Sequence, residues 1–461
     1  MKQDFDVLVI GAGHAGLTAA ICAAESGASV CVLEVSPKNV RGGNSKHTRN
    51  LRPMHETALY PLEDSYGFDE YFDDLLRVTD GETNRELASL TLQESASSMQ
   101  WLKDHGVAFQ PPLGGTLHLG RTNAFFLGGG KAVMNALFQC SEKLGIRVVY
   151  EAQEIQIDIE SGVFRRVTYI QEDQSEELTA ASLVVAAGGF EANLEWLSEA
   201  WGHAAHNFLV RGTPYNRGDI LRQLLAADAV QIGDARQCHA VAIDGRAPKF
   251  DGGICSRIDC VPLGIVVNNQ AARFYDEGED FWPKRYAIWG RLVAAQPDQV
   301  AYSIIDSRST GLFMPTVFPP VEASSLHELA EKLGLPQENL IKTVAEFNRS
   351  VVDGEFNHQA LDTCHTDGLM IEKTHWARKL DKPPFRAYML RPGITFTYLG
   401  VEVDANARVK FAASKGTGNI FAAGEIMAGN VLGQGYLAGI GMTIGSVFGR
   451  IAGREAAKNA T

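Results

Sequence analysis

The chain has 461 residues, of which 45% are hydrophobic and 21% charged, a composition typical of soluble globular proteins with a sizeable core. Its formal net charge of −13 argues against nucleic acid as a partner, because phosphate binding requires a basic surface. Its seven cysteines form no CxxC pair and its histidines no HExxH motif, so we expect a reducing compartment and no bound metal.

Residues 4 to 35 predict a strand, a tight turn, a helix and a second strand. The apolar run VLVI leads directly into a G-x-G-x-x-G turn. Such glycines permit the turn, let the backbone approach a pyrophosphate, and pack the helix against the sheet. The turn residues predicted to bind a dinucleotide are Gly11, Gly13, Ala15 and Gly16. Glu34 ends the second strand, where a carboxylate can accept hydrogen bonds from a ribose. Asp4 and Asp6 interrupt the N-terminal stretch and its apolar run stops at glycine after a few residues, so we expect no secretory signal here.

The segment RGGNSKHTRNLR, residues 41 to 52, concentrates five basic or imidazole side chains in an acidic protein. Its first half is predicted to contact the dinucleotide through Gly42, Gly43, Asn44 and Ser45. Its second half is predicted to bind an anionic substrate through His47, Arg49 and Arg52. Arginine suits this role because its planar fork binds carboxylates bidentately. The alternative interpretation is a solvated basic loop.

A second basic candidate lies in residues 117 to 133, ahead of another glycine-rich turn. Arg121 is interpreted either as part of a substrate clamp or as half of a surface ion pair, and His118 as a structural histidine. The sequence alone does not decide between the two interpretations of Arg121.

Two later segments each end an apolar strand in glycine-rich turns. The first, residues 181 to 193, contains Ala187, Gly188 and Gly189. The second, residues 418 to 436, contains Gly424, Glu425, Asn430 and Leu432. Three dispersed pieces converging on one ligand favour FAD over NAD, because FAD extends across a whole domain. These seven residues are therefore predicted FAD contacts.

The middle of the chain has a different pattern. From about residue 263 the glycine-rich strands give way to aromatic segments and to two amphipathic helices separated by GLPQEN. Pro262 and the pair Pro392-Gly393 are predicted to be linkers. The predicted organisation is an FAD-binding domain in two parts, residues 1–262 and 394–461, with an inserted domain at 263–393.

These segments resemble the flavoprotein family of fumarate reductase and succinate dehydrogenase. The matching pieces are GAGHAG, Glu34, GGNS, LGGGKAVMNAL, VVAAGGF, YNRGDI, RFYDE and the terminal AAGE…GQGY…GSVFGRIAG. The resemblance implies an α/β fold, in which a Rossmann-like FAD-binding domain carries an inserted α+β capping domain. Within the family, the basic loop and the segments at 273–291 and 424–445 look most like FAD-dependent tricarballylate dehydrogenases. That likeness implies desaturation of tricarballylate to cis-aconitate.

The resemblance also suggests catalytic groups. An arginine of the cap transfers the proton in this family, and Arg285 and Arg308 are conceivable equivalents. The GQGY piece is similar to 3-ketosteroid dehydrogenases, in which a tyrosine at the place of Tyr436 polarises a ketone. Two family features are missing: residues 394–401 contain no histidine, and AGNVLGQGY contains no arginine. Ser45 stands where succinate dehydrogenases attach FAD through histidine, so we expect noncovalent FAD.

Three functions follow as hypotheses. The first is carboxylate desaturation with electrons passing to an external acceptor, by resemblance a membrane iron–sulfur protein. The second is ketone desaturation, and the third is a flavin-binding scaffold or sensor without turnover. We expect a cytoplasmic protein that meets the inner face of the membrane only through its electron acceptor. The uncharged stretch 431–449 contains six glycines, which favours packing against a ligand over a membrane span.

Overall fold

The computed structural model describes residues 3–111, 119–253, 256–412 and 418–460. A five-stranded parallel sheet, the dinucleotide sheet, joins the two ends of the chain. Its strands, in spatial order, are Ile420–Ala422, Ala180–Val185, Phe5–Ile10, Val30–Leu33 and Arg147–Val149. The central strands are almost wholly apolar because helices cover both faces of a parallel sheet. The predicted Rossmann-like α/β architecture is confirmed.

The C-terminal helix Ile440–Ala460 packs closely along the helix His14–Glu25. Glycines on one face permit this approach: a Cβ on Gly449 would come within 2.8 Å of the carbonyl oxygen of Ala15, and one on Gly453 would overlap that of Ala19. The second part of the glycine-rich stretch 431–449 thus belongs to a helix that packs inside the protein. None of the helices in the described parts of the chain is long and apolar enough to cross a bilayer.

A second, six-stranded sheet, the cap sheet, is built around the long strand Phe385–Thr397. Its other strands are Leu209–Val210, Cys238–Asp244, Ile265–Asn268, Ala301–Ile305 and Val321–Ala323. Two helices, Leu326–Leu333 and Gln337–Ser350, share an apolar core with this sheet. The first helix begins after Ser325, whose Oγ accepts a hydrogen bond from the Glu328 N–H, and ends at Gly334 with φ of 67°.

The predicted domain boundary at residue 263 falls inside the cap sheet. Two of its strands, Leu209–Val210 and Cys238–Asp244, precede that boundary and pair directly with Phe385–Thr397. Pro262 is buried in a 3₁₀ turn between strands of this sheet, so it does not act as an exposed linker. We therefore propose that the inserted region begins before Leu209.

Smaller elements complete the fold. One antiparallel sheet consists of Gln153–Glu160, Val163–Gln171 and Gln174–Leu178, and another of Asn50–Leu51, Ala124–Phe126 and Phe109–Gln110. Two short pairs are Gln231–Ile232 with Gly400–Val401, and Val351–Val352 with His365–Thr366. The remaining helices are Phe68–Thr79, Arg85–Ser95, Ser98–Asp104, Leu119–Thr122, Gly129–Lys143, Leu194–Trp201, Asp219–Ala226, Trp282–Arg285 and Trp289–Ala294.

Candidate active site

A continuous cavity of about 760 Å³ lies between the dinucleotide sheet and the cap sheet. One end is lined by the glycine-rich turn after Phe5–Ile10 and by Glu34. The other end is lined by basic and aromatic side chains from the cap sheet and from the segment 47–50. An elongated ligand that reaches from Glu34 to the cap matches this shape. Such a ligand leaves its far end beside cationic groups.

The end near Glu34 fits the pyrophosphate and ribose of a dinucleotide. Gly11 has φ of 99°, and a Cβ there would overlap the carbonyl oxygen of Ala186. The helix His14–Glu25 begins without a side-chain cap from Gly13 and without an acidic residue in its first turn, so the positive end of its dipole favours an anion here, while the His14 N–H donates to Ser45 Oγ. Glu34 is 5% exposed and accepts hydrogen bonds from the N–H groups of Ala12 and Ser36, both at 2.8 Å.

Eleven of the predicted cofactor contacts line this cavity. They are Gly11, Gly13, Ala15, Glu34, Gly43, Asn44, Ser45, Ala187, Gly188, Gly424 and Glu425. Asn44 lines the cavity while both ends of its amide bind protein: Oδ1 accepts from the Thr213 N–H at 2.8 Å, and Nδ2 donates to the Thr395 carbonyl at 2.8 Å and to Glu191. Asn44 therefore ties the basic loop to the cap.

The other predicted cofactor residues lie behind the cavity lining. A Cβ on Gly16 would overlap the Gly11 carbonyl, so this glycine packs the helix on the turn, and Gly42 with φ of 106° contacts Met134. Asn430 donates to two backbone carbonyls, and Leu432 is fully buried in the core. The side of Gly189 that a Cβ would occupy is filled by the Thr397 hydroxyl and two carboxyl groups.

Three arginines, Arg49, Arg211 and Arg257, line the cap end of the cavity. Arg257 forms a bidentate ion pair with Asp259, with distances of 2.5 and 2.9 Å. Among the described residues, no acid hydrogen-bonds the other two guanidiniums. Burial, followed by repulsion from Arg257, lowers the pKa of both Arg49 and Arg211 to about 10, which still leaves them cationic at neutral pH. This end of the cavity therefore carries positive charge that the protein does not neutralise.

Aromatic rings adjoin the arginines. His239 stacks on Tyr436 with ring centroids 3.8 Å apart and an interplanar angle of 4°, and Tyr286 meets His239 edge-on. Burial and the nearby arginines Arg211 and Arg257 lower the pKa of His239 well below its usual value, so its ring is neutral. The Tyr436 hydroxyl accepts a hydrogen bond from the Gly441 N–H at 3.2 Å, and burial raises its pKa.

The predicted substrate residues separate into two groups. His47 and Arg49 line the cavity, and His47 is hydrogen-bonded to Asp251 at 2.6 Å. Arg52 is buried outside the lining, where it donates to the Ala438 carbonyl at 2.9 Å and to the Tyr66 hydroxyl at 2.7 Å. Arg121 pairs with Glu70 near the surface, which matches the surface ion pair considered above. His118 lies outside the described residues.

The predicted catalytic residues also separate. Tyr436 lines the cavity. Arg285 is paired with Glu279, and Arg308 with Asp306 and Asp381, and neither guanidinium contributes to the lining of the cavity. Their ion pairs with these acids satisfy both guanidiniums.

Sequence reasoning missed Arg211, Arg257, His239 and Tyr286. Arg211 stands four residues before the recognised YNRGDI piece, which is the one local signal that could have found it. Arg257 and Asp259 are two residues apart, a spacing typical of ordinary surface ion pairs. Only the pairing of Leu209–Val210 and Cys238–Asp244 with the long cap strand brings these residues to one place.

The comparisons with known proteins agree with this geometry. A family model described as FAD binding domain matches residues 6–442. The chain is 25% identical to the NADH:fumarate oxidoreductase of Klebsiella pneumoniae over 99% of its own length, and it spans 48%, about half, of that protein.

Solved structures share the fold over nearly the whole chain. An open conformation of a flavocytochrome c3 fumarate reductase superposes with a TM-score of 0.75 at 22% identity, covering 99% of this chain and 78% of that one. The 3-ketosteroid Δ1-dehydrogenase of Sterolibacterium denitrificans also gives a TM-score of 0.75, at 17% identity, covering 98% of this chain and 99% of that one. The predicted FAD cofactor is confirmed: the chain belongs to the FAD binding domain family.

Proposed function

We propose that this enzyme desaturates a small polycarboxylate, with tricarballylate to cis-aconitate as the best candidate reaction. The observation that carries the proposal is the group of three arginines, Arg49, Arg211 and Arg257, at the cap end of the cavity, with Asp259 as their one hydrogen-bonded acid among the described residues. Burying that much positive charge is costly unless an anion completes it. A substrate with two or three carboxylates supplies the missing negative charge.

The reaction removes two hydrogens from adjacent carbons. One leaves as a proton to a protein group, and the other leaves as hydride, taking the C–H electron pair. Bound FAD supplies the two-electron acceptor for that hydride. The arginines orient the carboxylates, and a carboxylate bound to a guanidinium makes the adjacent C–H more acidic. The same site run in reverse would reduce a C=C bond beside a carboxylate.

Tyr436 is our candidate for the proton-transfer group. Of the three residues predicted for this role, it is the one that lines the cavity, and it lies among the arginines. Its raised pKa makes the phenol neutral at rest, while the positive charge of Arg211 lowers the cost of its phenolate. Stacking on His239 fixes the ring, so the hydroxyl is held in one position.

Ketone desaturation is the second candidate function. It is favoured by Tyr436 and by the structural likeness to a 3-ketosteroid dehydrogenase, whose substrate is a ketone as its name states. A neutral ketone would leave Arg49 and Arg211 without a counter-charge, which is why we rank this function second. A flavin scaffold without turnover is the third hypothesis.

FAD is proposed to be noncovalent. The Ser45 side chain, at the position of the attachment histidine in the resembling family, accepts a hydrogen bond from the His14 N–H at 3.1 Å. We also propose that reduced FAD passes its electrons to a separate acceptor, such as a membrane iron–sulfur protein, and that the enzyme works in the cytoplasm. Acid precipitation of the holoenzyme should release all of the flavin into the supernatant.

Anaerobic reduction of the flavin distinguishes the three functions. Holoenzyme is mixed without oxygen with tricarballylate, succinate and a cyclic 3-ketone in separate experiments, and the flavin absorbance is followed. Bleaching by a carboxylate supports the first proposal, and bleaching by the ketone alone contradicts it. Reoxidation of chemically reduced enzyme by cis-aconitate is the matching test in reverse. Bleaching by any member of the panel excludes the scaffold.

A further inference from the structure

Two glutamates meet beside the middle of the cavity, at Gly189. A Cβ on this glycine would overlap the Thr397 hydroxyl and Oε1 of Glu425 and would lie 2.8 Å from Oε2 of Glu191, so these three oxygens occupy the space that a side chain would take. Glu191 is completely buried, whereas Glu425 lines the cavity. The absence of a side chain at position 189 therefore makes room for a carboxyl pair.

The partners of Glu191 identify it as the charged member of the pair. Its Oε1 accepts hydrogen bonds from the amides of Asn216, at 2.7 Å, and Asn44. Its Oε2 is buried without a hydrogen-bond partner among the described residues, and it lies with Oε1 of Glu425 around the same point beside Gly189. Two carboxylate oxygens attract each other only when one carries a proton. Glu425 must therefore donate for that oxygen of Glu191 to be satisfied.

The surroundings supply no cation that could replace this proton. Glu425 Oε1 accepts from the Thr397 N–H at 2.8 Å, and no described basic side chain donates to either carboxyl group. Two other titratable groups feel the pair: burial raises the pKa of the Cys238 thiol with a further contribution from Glu191, and burial raises the pKa of Tyr436 with a further contribution from Glu425. Arg211 donates a hydrogen bond to the Thr395 hydroxyl, at 3.2 Å, and to neither carboxyl group of the pair.

We propose that Glu191 and Glu425 share one proton, which resides on Glu425, and that this pair is a positioning device for the flavin site. The charge stays on Glu191, away from the cavity, and the group facing the cavity is neutral. Through Asn44, Asn216 and Thr397 the pair joins the basic loop, the 213–217 segment and the end of the long cap strand. Both carboxyl groups have raised pKa values, caused first by burial, in agreement with a retained proton.

This arrangement has a consequence for the cofactor. A second negative charge on the cavity side would disfavour reduced flavin, because reduction adds electrons beside it. A neutral Glu425 keeps the midpoint potential of the flavin higher than an ionised one would. The proposal concerns the flavin, which the family assignment establishes, so it does not depend on which substrate the enzyme takes.

Infrared spectroscopy of the wild-type holoenzyme is the first test. We expect a carbonyl-stretch band of a protonated carboxylic acid at neutral pH, in a region free of ionised carboxylates, and we expect Glu425→Gln to remove it. Absence of the band in the wild type, or its persistence in Glu425→Gln, would overturn the proposal. This test needs no substrate and no turnover.

The two isosteric variants are matched controls for each other. In Glu425→Gln the new amide can still donate to Glu191, so we expect the flavin midpoint potential and the Kd for FAD to stay near the wild-type values. In Glu191→Gln the amide nitrogen faces Glu425, which can then ionise beside the cavity. We expect a more negative potential and about tenfold weaker FAD binding. Equal potentials in the two variants would contradict the assignment of the proton to Glu425. If Glu191→Gln does not retain FAD, the infrared result still decides.

Discussion

His239 and Tyr436 stack face to face, with ring centroids 3.8 Å apart, although one lies on a strand of the cap sheet and the other precedes the C-terminal helix. The stack joins the cap sheet to the segment before the C-terminal helix, at the end of the cavity that the arginines line. The neutral imidazole stacks on the phenol ring. The Tyr436 hydroxyl accepts a hydrogen bond from the Gly441 N–H, which holds its position. The position of the proposed proton-transfer group therefore depends on both parts of the protein.

Removal of the Tyr436 hydroxyl tests its role. We expect Tyr436→Phe to lower kcat by about 100-fold or more, the typical contribution of a positioned acid or base, because the phenylalanine ring keeps the stack but cannot exchange a proton. FAD binding and the flavin spectrum should stay unchanged. Stopped-flow measurement of anaerobic flavin reduction gives the rate directly. A Tyr436→Phe enzyme as fast as wild type would remove this residue from the mechanism.

The arginines distinguish the two candidate substrates. We expect Arg211→Lys to weaken carboxylate binding by roughly 10- to 100-fold, because a lysine lacks the planar fork and a hydrogen bond to a charged group contributes about 1.5–3 kcal/mol. Substrate Kd is measured from perturbation of the flavin spectrum. Arg121→Lys is the matched control, because Arg121 pairs with Glu70 near the surface. A ketone-specific enzyme would bind its substrate equally well in both variants.

The turn at Gly11 is tested by adding one methyl group. Gly11 and Gly27 both have positive φ, 99° and 91°, but a Cβ at Gly27 meets nothing within 4 Å, whereas one at Gly11 would overlap the Ala186 carbonyl. We expect Gly27→Ala to cost about 1 kcal/mol of stability through backbone strain and to keep FAD. Gly11→Ala should lose most of its FAD, as measured by the flavin-to-protein absorbance ratio. Equal flavin contents in the two variants would argue against close packing at this turn.

The carboxyl pair predicts a pH dependence of stability. The pKa of Glu425 is raised well above its ordinary value in the folded protein, so the folded state holds a proton that the unfolded state releases. The contribution is therefore fully present below the ordinary glutamate pKa and is lost as pH rises toward the folded pKa. We expect the Tm of the wild type to fall more steeply than that of Glu425→Gln as pH rises above about 5. Parallel Tm–pH curves would contradict this prediction.

Much of the fold could be predicted because its signals are local. The strand, the glycine turn, the helix and Glu34 lie within one short segment, and each residue type has a direct steric or hydrogen-bonding reason to be there. The helices Leu326–Leu333 and Gln337–Ser350 are likewise predicted by their apolar spacing and by the helix-ending segment GLPQEN between them. The extent of the cap sheet could not be predicted from the sequence, since short strands such as Leu209–Val210 have too few residues to show an apolar pattern.

The sequence by itself determined the cofactor and the architecture around it, since a turn that must approach a pyrophosphate restricts its residues to glycine within a few positions. Only the tertiary structure decided which charged side chains line the cavity. Arg49, Arg211 and Arg257 come from distant segments and converge on the cavity, whereas Arg52, Arg121, Arg285 and Arg308 find partners elsewhere. The sequence does not show whether an acid of the same protein neutralises a given arginine, because the two residues of such an ion pair can be distant in the chain and meet only in the folded structure.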